Sequence, residues 1–250
     1  MIIFRHYLKR IITEPITMLI FILFPAVLVA VNTFINLGMV EDEMANIVNG
    51  RDMMAGSVAV LMLIMFQFMG GTLVIDHIFR DLKSDRRWRL GAAPVSGGKI
   101  VFSMALANIV FSIIAGLLVL AVGFIFFNAY YPNILVLLAL LVILAVFSAF
   151  LGMLVSAFVP KKGTAEAIIM IFAWGMILPA GLFGPVNLGS ALNRFFEYFT
   201  PYAMALRTTL YSGMPRDDMG IVMLNLGLLA GLTVLLAIAT LILSRRRESV

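Results

Sequence analysis

Along most of this chain apolar residues do not alternate with polar ones; they run on. Six long apolar stretches, at about 16–37, 54–75, 100–127, 134–158, 165–183 and 220–243, are separated by short segments that collect the charges, prolines and glycines. A helix rises 1.5 Å per residue, so about 20 apolar residues cross the hydrocarbon layer of a bilayer. The pattern predicts an all-α integral membrane protein of six transmembrane helices, one domain over 1–250. Ahead of the first run, "MIIFRHYLKRII" places Ile3, Phe4, Tyr7, Leu8 and Ile11 on one helical face and Arg5, His6 and Lys9 on the other. This predicts an amphipathic helix over 1–13 lying in the membrane interface. Glu14-Pro15 should separate it from the first span, because the residue before a proline is pushed out of helical geometry.

Composition agrees: 62% of residues are hydrophobic, 12% are charged and none is cysteine, which excludes disulfides and thiolate metal sites. The net charge of +5 reads as topology rather than as affinity for nucleic acid. With both termini inside, fourteen of the eighteen Lys and Arg fall in the amino-terminal segment, the loops 76–99 and 159–164, and the carboxy-terminal tail; only Arg51, Arg194, Arg207 and Arg216 lie outside. The positive-inside rule thus predicts cytoplasmic termini in a cell membrane. The first span is too long for the apolar core of a signal peptide and lacks a small-x-small cleavage site, so it should remain uncleaved.

The loop 76–99 invites a nucleotide-binding reading, because "AAPVSGGKI" ends in Gly98-Lys99. A P-loop requires a glycine where Ala93 stands and a hydroxyl where Ile100 stands, and Pro94 removes an amide that would cradle phosphate. Residues 78–90 instead predict a short amphipathic helix carrying Leu82, Arg86, Arg87, Trp88, Arg89 and Leu90, ended by Gly91 and turned into span three by Pro94 and Ser96-Gly97-Gly98. Such a helix suits a groove on a partner protein; its arginines also fit a solvated loop that only sets topology.

The order of these features resembles the permease subunit of ABC transporters of the ABC-2 (type V exporter) family. The resemblance rests on the basic start with "EPITMLIFILFP", on "RDLKSDRRWRLGAAPVSGGKI" between spans two and three, and on "ILPAGLFGPVNLGSALNRFFEYFTPYAMALRTTLYSG" after span five. The glycine common in the family's first cytoplasmic loop is missing between Arg80 and Arg87. The resemblance implies a non-catalytic permease domain with a cytoplasmic coupling helix in the loop 76–99 and re-entrant helices within 184–218. It implies two copies of a separate ATPase, which would hold the ATP and Mg, and a second permease subunit making a homodimer or a closely related heterodimer. Leu82, Arg86, Arg87, Trp88, Arg89 and Leu90 would contact the ATPase, with "PKKGTAE" at 160–166 a minor contact. Export across a bacterial or archaeal plasma membrane is the implied activity.

Other polar residues are open to two readings. Arg194 and Glu197 could pair on one face of the outer element, as ordinary packing or, with Pro201 and Tyr202, as an outer gate. Gln67, Asn108 and Asn225 could line a substrate path or hydrogen-bond between helices. No charge lies at a span centre, which disfavours ion coupling and leans toward a hydrophobic or amphiphilic substrate such as a drug, peptide or lipid. His6 and His77 cannot form a His-Glu-x-x-His site, and Gly-x-Ser-x-Gly is absent. A stand-alone secondary transporter or a membrane scaffold without an ATPase partner are the competing readings.

Overall fold

The computed structural model describes residues 2–39, 50–84, 96–177, 195, 198–212 and 219–248. All regular structure among them is helical. Helix α1 spans Ile2–Thr13, α2 Pro15–Met18, α3 Phe24–Met39, α4 Gly50–Met69, α5 Gly71–His77, α6 Gly97–Phe127, α7 Ile134–Phe158, α8 Lys162–Ile177, α9 Pro201–Tyr211 and α10 Met219–Glu248. The π-type turns Leu19–Leu23 and Ile78–Leu82 join α2 to α3 and extend α5.

Five helical stretches are long and apolar enough to cross a bilayer: Pro15–Ile35, Asp52–Leu82, Gly97–Phe127, Ile134–Phe158 and Met219–Leu243. At the expected fifth span, α8 has 16 described residues, and 178–183 lie outside the described set. The second stretch is the axis of the bundle. Of its most apolar 18 residues 94% are buried, against 22% for the first stretch and 11% for α10. The chain therefore wraps its other helices around Asp52–Leu82, and the outward faces of α3 and α10 present Val27, Val31, Leu228 and Leu235 to their surroundings.

Glu14 is extended (φ −85°, ψ 107°) and Pro15 opens the next helix, so α1 is a separate element. Its apolar face is spent on protein: Tyr7 and Ile11 are buried, and Ile3, Phe4 and Leu8 pack against the same core. Arg5, His6 and Lys9 face outward. Helical structure also continues through Ile78–Leu82, so the inter-span loop leaves the bundle after Leu82 rather than at 76.

The closest backbone approaches are made through glycine. Gly70 interrupts the axis, and Gly71 meets Gly152 of α7 face to face: a Cβ added to Gly71 would stand 2.7 Å from the Ser148 carbonyl oxygen, and one added to Gly152 would overlap Gly71 O. At this crossing the two backbones leave no room for a side chain at either glycine.

Candidate functional site

Three groups of residues set what the bundle can do, and they lie at three depths. The first is at the α1 end. Asp76 and Arg80 sit one turn apart on the last turns of the axis, and Arg80 Nε donates to Asp76 Oδ1 at 2.9 Å. Arg80 Nη2 also reaches Glu14 Oε1 at 2.9 Å, while Glu14 Oε2 accepts from Thr17 Oγ1. From α8, Lys162 Nζ bonds Asp76 Oδ1 and stands 3.5 Å from Glu166 Oε1. Arg10 of α1 pairs with Asp81 at 2.9 Å. Burial, and then the neighbouring Asp81 carboxylate, raise the pKa of the Tyr7 phenol, which stays protonated. The buried His77 ring stacks at a tilt on Tyr7, with centroids 5.3 Å apart. Partly exposed ion pairs contribute little singly. Here they form a network linking α1, the axis and α8 at the point where the inter-span loop departs.

Lys83 completes that base. Its ammonium donates to Ser156 O at 2.6 Å and Val159 O at 2.8 Å, and lies 4.2 Å from the Phe79 ring centroid. A cation on the last carbonyls of α7 complements the negative end of that helix. Replacing Lys83 by Met should cost about 1 kcal/mol, read as a lowered melting temperature of detergent-solubilised protein; an unchanged melting temperature would exclude the capping role.

The second group is at mid-depth, around the Gly70 interruption. Asn108 Nδ2 donates to Gly70 O at 3.2 Å, and Gln67 Nε2 to Ser112 O at 2.7 Å, so both amides tie the axis to α6. Asn225 donates to Ile221 O within its own helix. Beside them Phe68, Phe147, Phe172 and Tyr202 make one aromatic cluster joining α4, α7, α8 and α9. Tyr202 is fully buried there, and Pro201 is buried beside it. From Asp52 to Phe68 the axis descends about 24 Å at 1.5 Å per residue. Helix α9 thus starts deep in the bundle, where Thr200 Oγ1 caps it by accepting from Ala203 N at 3.2 Å.

The third group is at the far end. Leu206, Thr209 and Leu210 of α9 join Met53, Val60 and Tyr131 around a mostly apolar cavity of about 260 Å³. With Tyr202 deep and Leu210 at the rim, α9 leans along the axis without crossing the bilayer.

Of the expected ATPase contacts, Leu82 is described, half-buried against the core at the loop base; Arg86, Arg87, Trp88, Arg89 and Leu90 lie outside the described residues. So do Arg194 and Glu197. Sequence reasoning missed the network of Glu14, Asp76, Arg80, Lys162 and Glu166. Its signal was the four-residue spacing Asp76/Arg80 and Lys162/Glu166 at span ends. It also missed the aromatic cluster, since phenylalanine in an apolar run carries no positional mark.

A family model described as ABC-2 family transporter protein matches residues 40–242. No curated protein and no solved structure matches the chain. A multi-pass helical bundle with a sheathed axis and a match over most of its length leads to one assignment: the chain belongs to the ABC-2 transporter family, whose members are the membrane-spanning, non-catalytic components that normally work with an ABC ATPase.

Proposed function

We propose that this chain is the permease subunit of an exporter for a hydrophobic or amphiphilic substrate, paired with a second permease subunit and driven by two copies of a separate ATPase that hold ATP and Mg. The observation carrying this reading is the network at the base of the inter-span loop. Arg10–Asp81, Arg80–Glu14 and Lys162–Asp76 join the loop base to α1 and α8. Lys83 and Ser84 are not helical, so the expected continuous helix over 78–90 is interrupted there. A push on a coupling helix in the loop beyond Ser84 would then move three elements as one body instead of bending a tether. The basic loops support a cytoplasmic position for this end and for both termini.

Within one subunit the middle is filled by aromatic rings and by the amide ties of Gln67 and Asn108. A path for an amphiphile therefore runs between two subunits, and Gln67 and Asn108 serve helix packing. Closure of the far end of that path falls to the outer element 184–218, of which Pro201 and Tyr202 are buried in the bundle. ATP-driven closure of the ATPases moves the loop bases together, and rigid-body motion alternates access.

The test is capture of tagged protein from its native membrane in mild detergent, with mass spectrometry. An ATPase should copurify in one-to-one ratio with the permease, and Arg86→Ala, Trp88→Ala and Arg89→Ala combined should reduce it about tenfold, since Trp and Arg carry much of interface energy. A preparation without ATPase would return the chain to the carrier or scaffold reading.

A further inference from the structure

Between Ile16–Phe21 on one side and α8 on the other, the α1 end of the bundle opens into a groove of about 270 Å³. Three stretches of helix line it, and each changes character at the same level. The first passes from Glu14 to Ile16 and Ile20. The axis passes from Arg80 and Asp76 to Leu73, and α8 from Lys162 and Glu166 to Met170. On the axis and on α8 the spacing of three or four residues puts Leu73 and Met170 about one turn, some 5 Å, deeper than Asp76 and Glu166. On the first stretch Ile20 lies six residues beyond Glu14, and Thr17 and Thr72 are the polar members of the otherwise apolar floor. The groove thus has a charged mouth and an apolar floor, the polarity profile of a headgroup with a tail.

The mouth also has a sign. It holds three carboxylates, Glu14, Asp76 and Glu166, against two cations, Arg80 and Lys162. Both cations are already engaged: Arg80 between Glu14 and Asp76, Lys162 between Asp76 and Glu166. Among the described residues the loosest member is Glu166, which meets Lys162 at 3.5 Å and whose side chain is 34% exposed. The surplus carboxylate charge favours a cationic headgroup and repels an anionic one. Ile16, at 67% exposure, leaves the apolar floor open sideways at the level where a tail would lie.

We infer that this groove binds a cationic amphiphile, an amine or quaternary ammonium on a single apolar tail, taken from the cytoplasmic leaflet. Its role as the entry site for cargo rests on the permease reading above; binding itself does not, so the two are tested apart.

The probes are dodecyltrimethylammonium and dodecyl sulfate, which share a tail and differ in charge, titrated onto the full chain in nanodiscs of zwitterionic lipid without any ATPase. The ammonium should bind at least tenfold more tightly than the sulfate. Glu166→Gln should weaken the ammonium several-fold, and Glu166→Lys should reverse the preference between the two probes. Because Glu166 is about one-third exposed and weakly paired, both variants should keep the parent melting temperature; Ile16→Asn, on the open floor, should weaken both probes equally. Equal binding of the two probes, binding indifferent to Glu166, or a second copy of the chain cross-linking across Ile16 and Glu166 and closing the groove would each overturn the inference. Preferential ammonium binding by a protein that captures no ATPase would leave the site standing and remove the exporter reading.

Discussion

Gly152→Val should leave little folded protein. The substituted Cβ would overlap the Gly71 carbonyl of the axis helix, and the obstructing atoms are backbone, which cannot rotate aside. Relief requires α7 and the axis to part along their contact. Parting them also strains the neighbouring approach of Gly71 to the Ser148 carbonyl and pulls on the core around Phe68 and Phe147. Overpacking that side chains can absorb costs about 1–3 kcal/mol; a clash between two helix backbones should exceed that range. The comparison is Gly227→Val on α10, where a Cβ meets nothing within 4 Å. Melting of the tagged protein in detergent should separate the two by well over 10 °C. Equal melting temperatures would mean that the α7–axis contact is looser than described. A fall at Gly227 alone would place that face against another subunit.

Asp76→Asn should give the next largest loss, about 2 kcal/mol. Asp76 is 12% exposed and receives both Arg80 and Lys162, so its neutralisation leaves two cations facing each other across a site built for an anion. Removing one partner of a fully buried pair costs about 3–5 kcal/mol. The two bases here are about 40% exposed, so water and Glu14 take up part of the loss. Adding Lys162→Met to Asp76→Asn should recover part of the stability, because one stranded charge goes with it. Strictly additive losses in that double variant would mean that the two residues do not interact.

Much of the fold is legible in the sequence, for a physical reason. A bilayer demands long apolar helices, and apolar runs are visible without any knowledge of contacts. The separation of α1 from α2 is legible too, because Glu14-Pro15 restricts the backbone locally. What is not legible is which span is the axis. Span two is no more apolar than span four, and its central position follows from Gly70, Gly71 and Gly152, whose meaning depends on what lies opposite. For the same reason the orientation of α1 was only half legible. Its apolar stripe is plain, but a stripe does not say whether lipid or protein covers it, and here Tyr7 and Ile11 are covered by the bundle. The candidate site divides likewise. Arg80 and Asp76 are visible as charges at a span end, whereas Glu14 and Lys162 join them from 66 and 86 residues away in the chain.

The sheathed axis also sets an order of assembly. Asp52–Leu82 is synthesised before any of the helices that later cover it on the α6, α7 and α8 sides. Gln67 bonds a carbonyl 45 residues downstream, and Asp76 pairs with a lysine 86 residues downstream. Arg10 and Glu14 precede it and Arg80 lies within it, but Gln67 and the Lys162 side of Asp76 are still without their partners when this segment leaves the insertion machinery. Biogenesis of this protein is consequently most exposed to error at its best-packed helix, and a variant weakening that stretch should first lower the yield of inserted chain rather than the stability of chains that have completed the bundle.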